Sequence, residues 1–104
     1  MKAHVIAVLG FALCGASAGA QSPPPALVAK GAHLFAANCA TCHGARMRNP
    51  PWAIDLHTFP HDAKERFVDS VTNGKRNMPS WDDVLTPDDI DALWAYVATG
   101  DPGD

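Results

Sequence analysis

Cys39-Ala40-Thr41-Cys42-His43 places two thiols three positions apart, with an imidazole directly after them. This is the attachment pattern for c-type haem. Each thiol adds to one vinyl group of the porphyrin, so the two sulfurs must reach adjacent edges of one ring. A single helical turn between them provides that reach. His43 then lies under the ring and can offer its imidazole to the iron. Iron that shuttles electrons without binding substrates needs a second axial ligand, and Met78 is the candidate. A thioether is soft and neutral, and His/Met ligation raises the reduction potential. Met78 lies 35 residues beyond His43, enough chain to pass around the ring edge. Pro79 disfavours helical geometry at Met78 and so helps present the side chain from an extended segment. Met47 follows His43 by only four residues, too near to cross to the opposite face.

Two other chemistries fit part of the pattern. Cys39-x2-Cys42-x14-His57-x3-His61 comes close to zinc-finger spacing. Pro60 falls between those histidines, where such a finger needs helix. Zinc there would also leave His43 and Met78 without roles. A thiol–disulfide oxidoreductase would use Cys39 and Cys42, but that chemistry sits at a strand-to-helix junction. No strand pattern precedes Cys39.

Residues 1–20 read as a secretory signal. Lys2 and His4 give a polar start, Val5 to Cys14 an apolar run, and Ala18-Gly19-Ala20 a small-residue cleavage site. The run is shorter than the ~20 apolar residues that span a bilayer. Leu13 stands before Cys14 where a lipoprotein needs a small residue, so Cys14 goes with the leader. Residues 21–104 then form one small domain of 84 residues. A core that small is often completed by a staple, metal or cofactor. Cys39 and Cys42 alone cannot build a disulfide framework. The formal charge without the leader is −4, and no basic stripe appears, which argues against nucleic acid as a partner.

Three main helices must position the site, and no alternating strand pattern or repeat appears. Pro25 suits a first helical turn. Leu27, Gly31, Leu34, Phe35 and Asn38 then share one face up to Asn38. Gly31 costs about 1 kcal/mol against alanine in a helix, so close approach of another helix is its expected reason. Residues 44–60 hold Pro50, Pro51 and Pro60 and read as a loop wrapping the cofactor. The second helix is expected from Asp62, with Glu65 completing a capping box, to Asn73-Gly74. The third is expected from a Thr86 cap, with Pro87 in its first turn, to Gly100. Ile90, Leu93, Trp94 and Val97 form its apolar face.

Around this frame several residues are candidate neighbours of the ring. A ligating histidine usually donates its second N–H to a carbonyl, and Pro50 or Pro51 could accept it. Trp52, Phe59, Trp81 and Trp94 could cover the ring or simply pack in the core. An indole N–H of Trp52 or Trp81 could also reach a propionate. Arg46, Arg48, Lys75 and Arg76 could pair with propionates or with a partner, or could form a solvated face. Asp82, Asp83, Asp88, Asp89 and Asp91 cluster around the start of the last helix, where part of the cluster serves capping. His33 should lie on the exposed side of the first helix. His57 and His61 are expected in the loop.

These residues together resemble the small class I cytochromes c. The likeness rests on Gly31 and Phe35, on Cys39 to Gly44, on Asn77-Met78-Pro79 and on Leu93-Trp94-Ala95-Tyr96, and it covers residues 21–104. It implies an all-α fold wrapped around one covalent haem c, with thioethers at Cys39 and Cys42 and axial ligands His43 and Met78. It further implies that Gly31 and Phe35 pack on Leu93 and Tyr96. Pro50 comes only seven residues after His43, a shorter loop than the family usually has. More narrowly, Asp55 to Pro60, Phe67 to Gly74 and Met78 to Trp81 look like the cytochromes that serve quinoprotein dehydrogenases. The resemblance implies a monomeric periplasmic electron carrier, not an enzyme. Its donor would be a periplasmic dehydrogenase and its acceptor an oxidase or another cytochrome. The competing expectation is a haem enzyme subunit or gas-binding sensor in which Met78 is labile.

Overall fold

The computed structural model describes residues 22–48 and 51–101, together with residues 2–4, 7 and 10. Most of the expected leader, Cys14 included, lies outside the described residues, as do Asn49 and Pro50. Four helices follow in order: α1 Pro25–Asn38, α2 Ala40–His43, α3 Lys64–Asn73 and α4 Pro87–Thr99. Two 3₁₀ turns, Ala45–Met47 and Leu56–Thr58, lie in the loop between α2 and α3. Among the described residues there is no strand, only an isolated antiparallel pairing of Lys75 with Met78. The fold is therefore all-α, as expected. No described helix is long and apolar enough to cross a membrane.

α1 opens on Pro25, whose missing N–H would be unpartnered in a first turn anyway. Its buried residues are Val28, Gly31 and Phe35, while Leu27, Leu34 and Asn38 are half-buried. His33 is exposed, as expected. α1 packs chiefly on α4, and Gly31 sits at the closest approach. A β-carbon added there would fall 2.0 Å from the Ala92 carbonyl oxygen and 2.7 Å from the Tyr96 β-carbon. Backbone meets backbone, which leaves no flexible side chain to yield. The Phe35 and Tyr96 rings pack 5.4 Å apart, tilted by 51°. Leu93 is fully buried on the same face.

α4 starts with a reciprocal capping box. The Asp89 N–H donates to Thr86 Oγ1 at 3.1 Å, and the Thr86 N–H donates to Asp89 Oδ2 at 3.0 Å. Two groups left unpartnered at a helix start are satisfied together. The backbone bond from Thr86 and the Lys30 ammonium, 3.2 Å away, hold the Asp89 carboxyl below its ordinary range. Lys30 also ties α1 to α4. A second tie, Lys64 to Asp91 at 3.2 Å, joins α3 to α4. So two members of the acidic cluster serve ion pairs within the fold.

α3 begins one residue later than its sequence suggests. Ala63 is the cap, and no side chain caps it, so the expected box of Asp62 and Glu65 does not form. The Ala63 N–H turns back to the Pro60 carbonyl at 3.2 Å, which keeps Ala63 outside the helix. Gly74 ends α3 as expected, at φ +78°, with its N–H on the Ser70 carbonyl. At the other end of the domain, Asp101 accepts from the Tyr96 hydroxyl. Its second oxygen takes Arg46 Nε at 3.1 Å. This clasp joins the end of α4 to the first 3₁₀ turn.

Gly31→Ala would be favourable by about 1 kcal/mol in an isolated helix. Here it is expected to destabilise by about 1–3 kcal/mol, because the α1–α4 contact has no room; urea titration measures this. Asp89→Ala should lower the melting temperature at neutral pH. The folded-state pKa of Asp89 is depressed, so its contribution is present above the unfolded value of about 3.9 and lost below it. The gap between variant and parent should therefore close as pH falls towards 2.

Candidate cofactor site

Cys39 closes α1 and opens α2. Its N–H donates to the Phe35 carbonyl at 2.8 Å, while its own carbonyl accepts from the His43 N–H at 2.9 Å. That junction makes the single helical turn that the spacing of the two thiols demands. Gly44 then turns the chain at φ +81°. Because Phe35 is pinned against Tyr96, the turn carrying both cysteines and His43 is placed by the α1–α4 contact. The Phe35 and His43 rings lie 6.4 Å apart.

Met78 is positioned by a separate segment, a tight turn after α3. The Lys75 N–H donates to the Met78 carbonyl at 3.0 Å, and the Met78 N–H returns to the Lys75 carbonyl at 2.9 Å. Arg76 within that turn has φ +54°. The chain then runs back over Gly74, where a β-carbon would meet the Met78 carbonyl oxygen at 2.7 Å and the Ser80 nitrogen at 2.9 Å. The Trp81 N–H anchors the exit on the Val71 carbonyl at 2.9 Å. The Met78 backbone is thus held at both ends, and Gly74 is the residue that lets it close.

Cys39, Cys42, His43 and Met78 all line one cavity of about 560 Å³. Its walls are largely apolar and include Phe35, Leu56, Phe59, Phe67, Val71 and Leu93. Trp52 and Trp81 also line it, whereas Trp94 does not. Trp94 packs on Phe67 at 5.3 Å and Phe59 at 6.1 Å, so it belongs to the core behind the cavity wall. Met47 is fully buried at φ +61° and fills the core, as its proximity to His43 implied. Of the four expected cations, Lys75 and Arg76 line the cavity. Arg46 is instead taken by Asp101, and Arg48 lies off the cavity wall.

The donor set fits a covalently held, axially ligated porphyrin. Burial is the main influence on His43 and lowers its pKa, with the Ile54 backbone opposing this in part. The ring is therefore neutral at neutral pH, the state in which imidazole binds metal. Its Nδ1 is buried and makes no hydrogen bond among the described residues. The backbone group acting on this ring belongs to Ile54; of the two expected acceptors, Pro50 lies outside the described residues. Burial, with a smaller contribution from Cys42, pushes the Cys39 thiol up to about 11. A thiol-exchange enzyme needs a depressed pKa, so the oxidoreductase pattern fails on this ground as well. His57 and His61 are exposed, and His57 Nδ1 sits 3.1 Å from Asp55 Oδ1. Among the described residues no three His, Cys, Asp or Glu side chains gather to hold a metal ion. The zinc-finger spacing is not realised.

Among the cavity residues that the sequence reading did not single out, one carries charge. Arg66 lines the cavity and lays its guanidinium 4.7 Å above the Phe59 ring centre. On a helical wheel it lies beside Phe67, which marks it only as flanking the buried stripe. The ring beneath it is supplied by the loop.

Comparison with known proteins gives a consistent result. The family profile described as "Cytochrome C oxidase, cbb3-type, subunit III" matches residues 26–97. Cytochrome c6 of Limnospira maxima is 39% identical over 79 residues, covering 67% of this chain and 89% of that protein. Cytochrome c6 of Tetradesmus obliquus is 36% identical over 87 residues, covering 74% of this chain and 94% of that one. The cbb3-type cytochrome c oxidase subunit FixP of Azorhizobium caulinodans is 39% identical over 77 residues. There the match covers 67% of this chain but only 26% of FixP.

Gly74→Ala meets both a positive φ and a backbone clash. It is expected to cost about 2–3 kcal/mol. Asn77→Ala, at an exposed residue of the same turn, should cost under about 0.5 kcal/mol. Paired denaturation curves distinguish the two.

Proposed function

We propose that this chain, which belongs to the small class I c-type cytochromes and is an electron carrier of that family, works in the periplasm between a dehydrogenase and an oxidase or second cytochrome. The family carries covalently bound haem c, which supplies a one-electron iron couple. Our assignment gives Cys39 and Cys42 the two thioether bonds. Each S–H would add across one vinyl group, with no atom lost. His43 offers a neutral imidazole from one side, held by α2. Met78 offers its thioether from the other, held by the turn over Gly74. Phe35, Phe59, Phe67 and Leu93 exclude water from the space between.

The observation that carries this reading is convergence. Two rigidly placed segments, far apart in the chain, bring four residues of complementary donor chemistry to one apolar cavity. Both axial groups are neutral and anchored through backbone hydrogen bonds, so little need move when an electron arrives or leaves. The leader pattern in residues 1–20 supports export. Similarity to a cbb3-type oxidase subunit profile supports an acceptor on the oxidase side. The stretches Asp55 to Pro60 and Met78 to Trp81 support a quinoprotein dehydrogenase as donor. Redox encounters of this kind use small, short-lived interfaces.

Expression in cells with an intact haem-maturation pathway tests the assignment. The exported chain should be coloured and heavier than the bare polypeptide by one haem. Its reduced form should resist carbon monoxide at neutral pH. Met78→Ala should bind carbon monoxide rapidly and show a lower reduction potential. A colourless wild type overturns the reading, and rapid carbon monoxide binding by the wild type replaces it with the labile-ligand alternative.

A further inference from the structure

The chain carries more acid than base, yet its cavity carries the opposite charge. Beyond the leader the sequence has 11 acidic and 7 basic side chains. Three of the bases are paired with aspartates: Lys30 with Asp89, Arg46 with Asp101 and Lys64 with Asp91. Arg66, Lys75 and Arg76 line the cavity, and no Asp or Glu does. Among the described residues these three make no ion pair. Three cations that make no ion pair among the described residues are thus gathered where the cofactor would sit.

Arg66 differs from the other two in being oriented. Its guanidinium lies 4.7 Å from the centre of the Phe59 ring. Phe59 is itself buried and braced edge-on by Phe67 at 5.9 Å and Trp94 at 6.1 Å. Stacking engages only the flat face of a guanidinium. The N–H groups on its edge stay free for a carboxylate, in a fork that matches two oxygens at once. Lys75 and Arg76, on an exposed turn, lack such a brace.

We propose that Arg66, stacked on Phe59, is a carboxylate-binding residue that holds a haem propionate at the cavity wall and thereby raises the reduction potential. Lys75 and Arg76 supply supporting positive charge. This rests on the haem reading above. Arg66 is a positioning residue, acting on the potential through the propionate. A cation paired with the propionate cancels negative charge that would otherwise favour the oxidised, more positive iron. Removing that cation shifts the couple towards the oxidised form. Lysine in its place restores the charge without the planar fork or the stack.

The test uses haem-loaded protein. Midpoint potentials and redox-difference infrared spectra of the carboxylate region are recorded for wild type, Arg66→Gln, Arg66→Lys and the control Lys64→Gln, two residues away on the same helix and off the cavity wall. Arg66→Gln should shift the oxidised-to-reduced ratio at fixed potential by about tenfold, or about 59 mV for one electron, and move a carboxylate band. Arg66→Lys should recover part of the potential and leave the band displaced. Lys64→Gln should match wild type in both. A haem-bearing Arg66→Gln that matches Lys64→Gln in both readouts overturns the assignment of Arg66 alone. A wild type without haem overturns it together with the proposed function.

Discussion

The close contact of α1 with α4 at Gly31 is the constraint on which the other elements depend. A helix interior with a missing side chain lets two backbones meet, and the meeting point sets where each helix ends. α1 ends at Cys39, four residues past Phe35, so the contact also places the turn that carries both thiols and His43. α4 presents Leu93 and Val97 to the cavity and Ala92 and Tyr96 to α1. One helix therefore serves as the partner of α1 and as the cavity floor. The clasp of Tyr96, Asp101 and Arg46 closes the same packed unit at its end. Such a clasp costs little, because Asp101 satisfies two donors at once.

The second half of the cavity is built on a different principle. Around Met78 there is no helix, only a turn whose backbone groups bond each other and whose return path needs the open space above Gly74. Two backbone-anchored segments, one helical and one a turn, therefore contribute to one cavity, and α3 packs on α4 beside it. Phe67 and Val71 of α3 contribute apolar wall on the same side as Arg66. The arrangement brings two backbone-anchored segments and apolar surface to one cavity. That suits a carrier whose geometry must change little between two charge states.

Charge follows the same division. Asp89 caps α4 and pairs with Lys30, Asp91 pairs with Lys64, and no Asp or Glu among the described residues lines the cavity. Burial of polar groups in the core is avoided; no charged side chain is buried among the described residues. The buried polar atom left without a hydrogen bond among the described residues is Nδ1 of His43, at the cavity wall.

The local devices were legible in the sequence because each depends on neighbours a few residues away. Cys39, Cys42 and His43 carry the haem-attachment spacing within five consecutive residues. Thr86 and Pro87 mark the start of α4, and Gly74 the end of α3, through rules that act within one turn. Gly31 announced a close approach because no local preference explains a glycine there. The shift of the α3 cap to Ala63 was not legible, since a turn from Pro60 competed with the side chain of Asp62. Trp94 and Trp81 look alike in sequence, and only packing sends one to the core and the other to the cavity. The same holds for the cations. Arg46 meets an aspartate 55 residues away, while Arg66 meets a ring supplied by the loop before its own helix. The sequence by itself determined the chemistry of the donors and the helices that bear them, because those depend on residue type and short spacing. Which side chains face one another across the cavity was decided by tertiary structure, because long-range pairing depends on how helices and loops pack, and no local pattern encodes that.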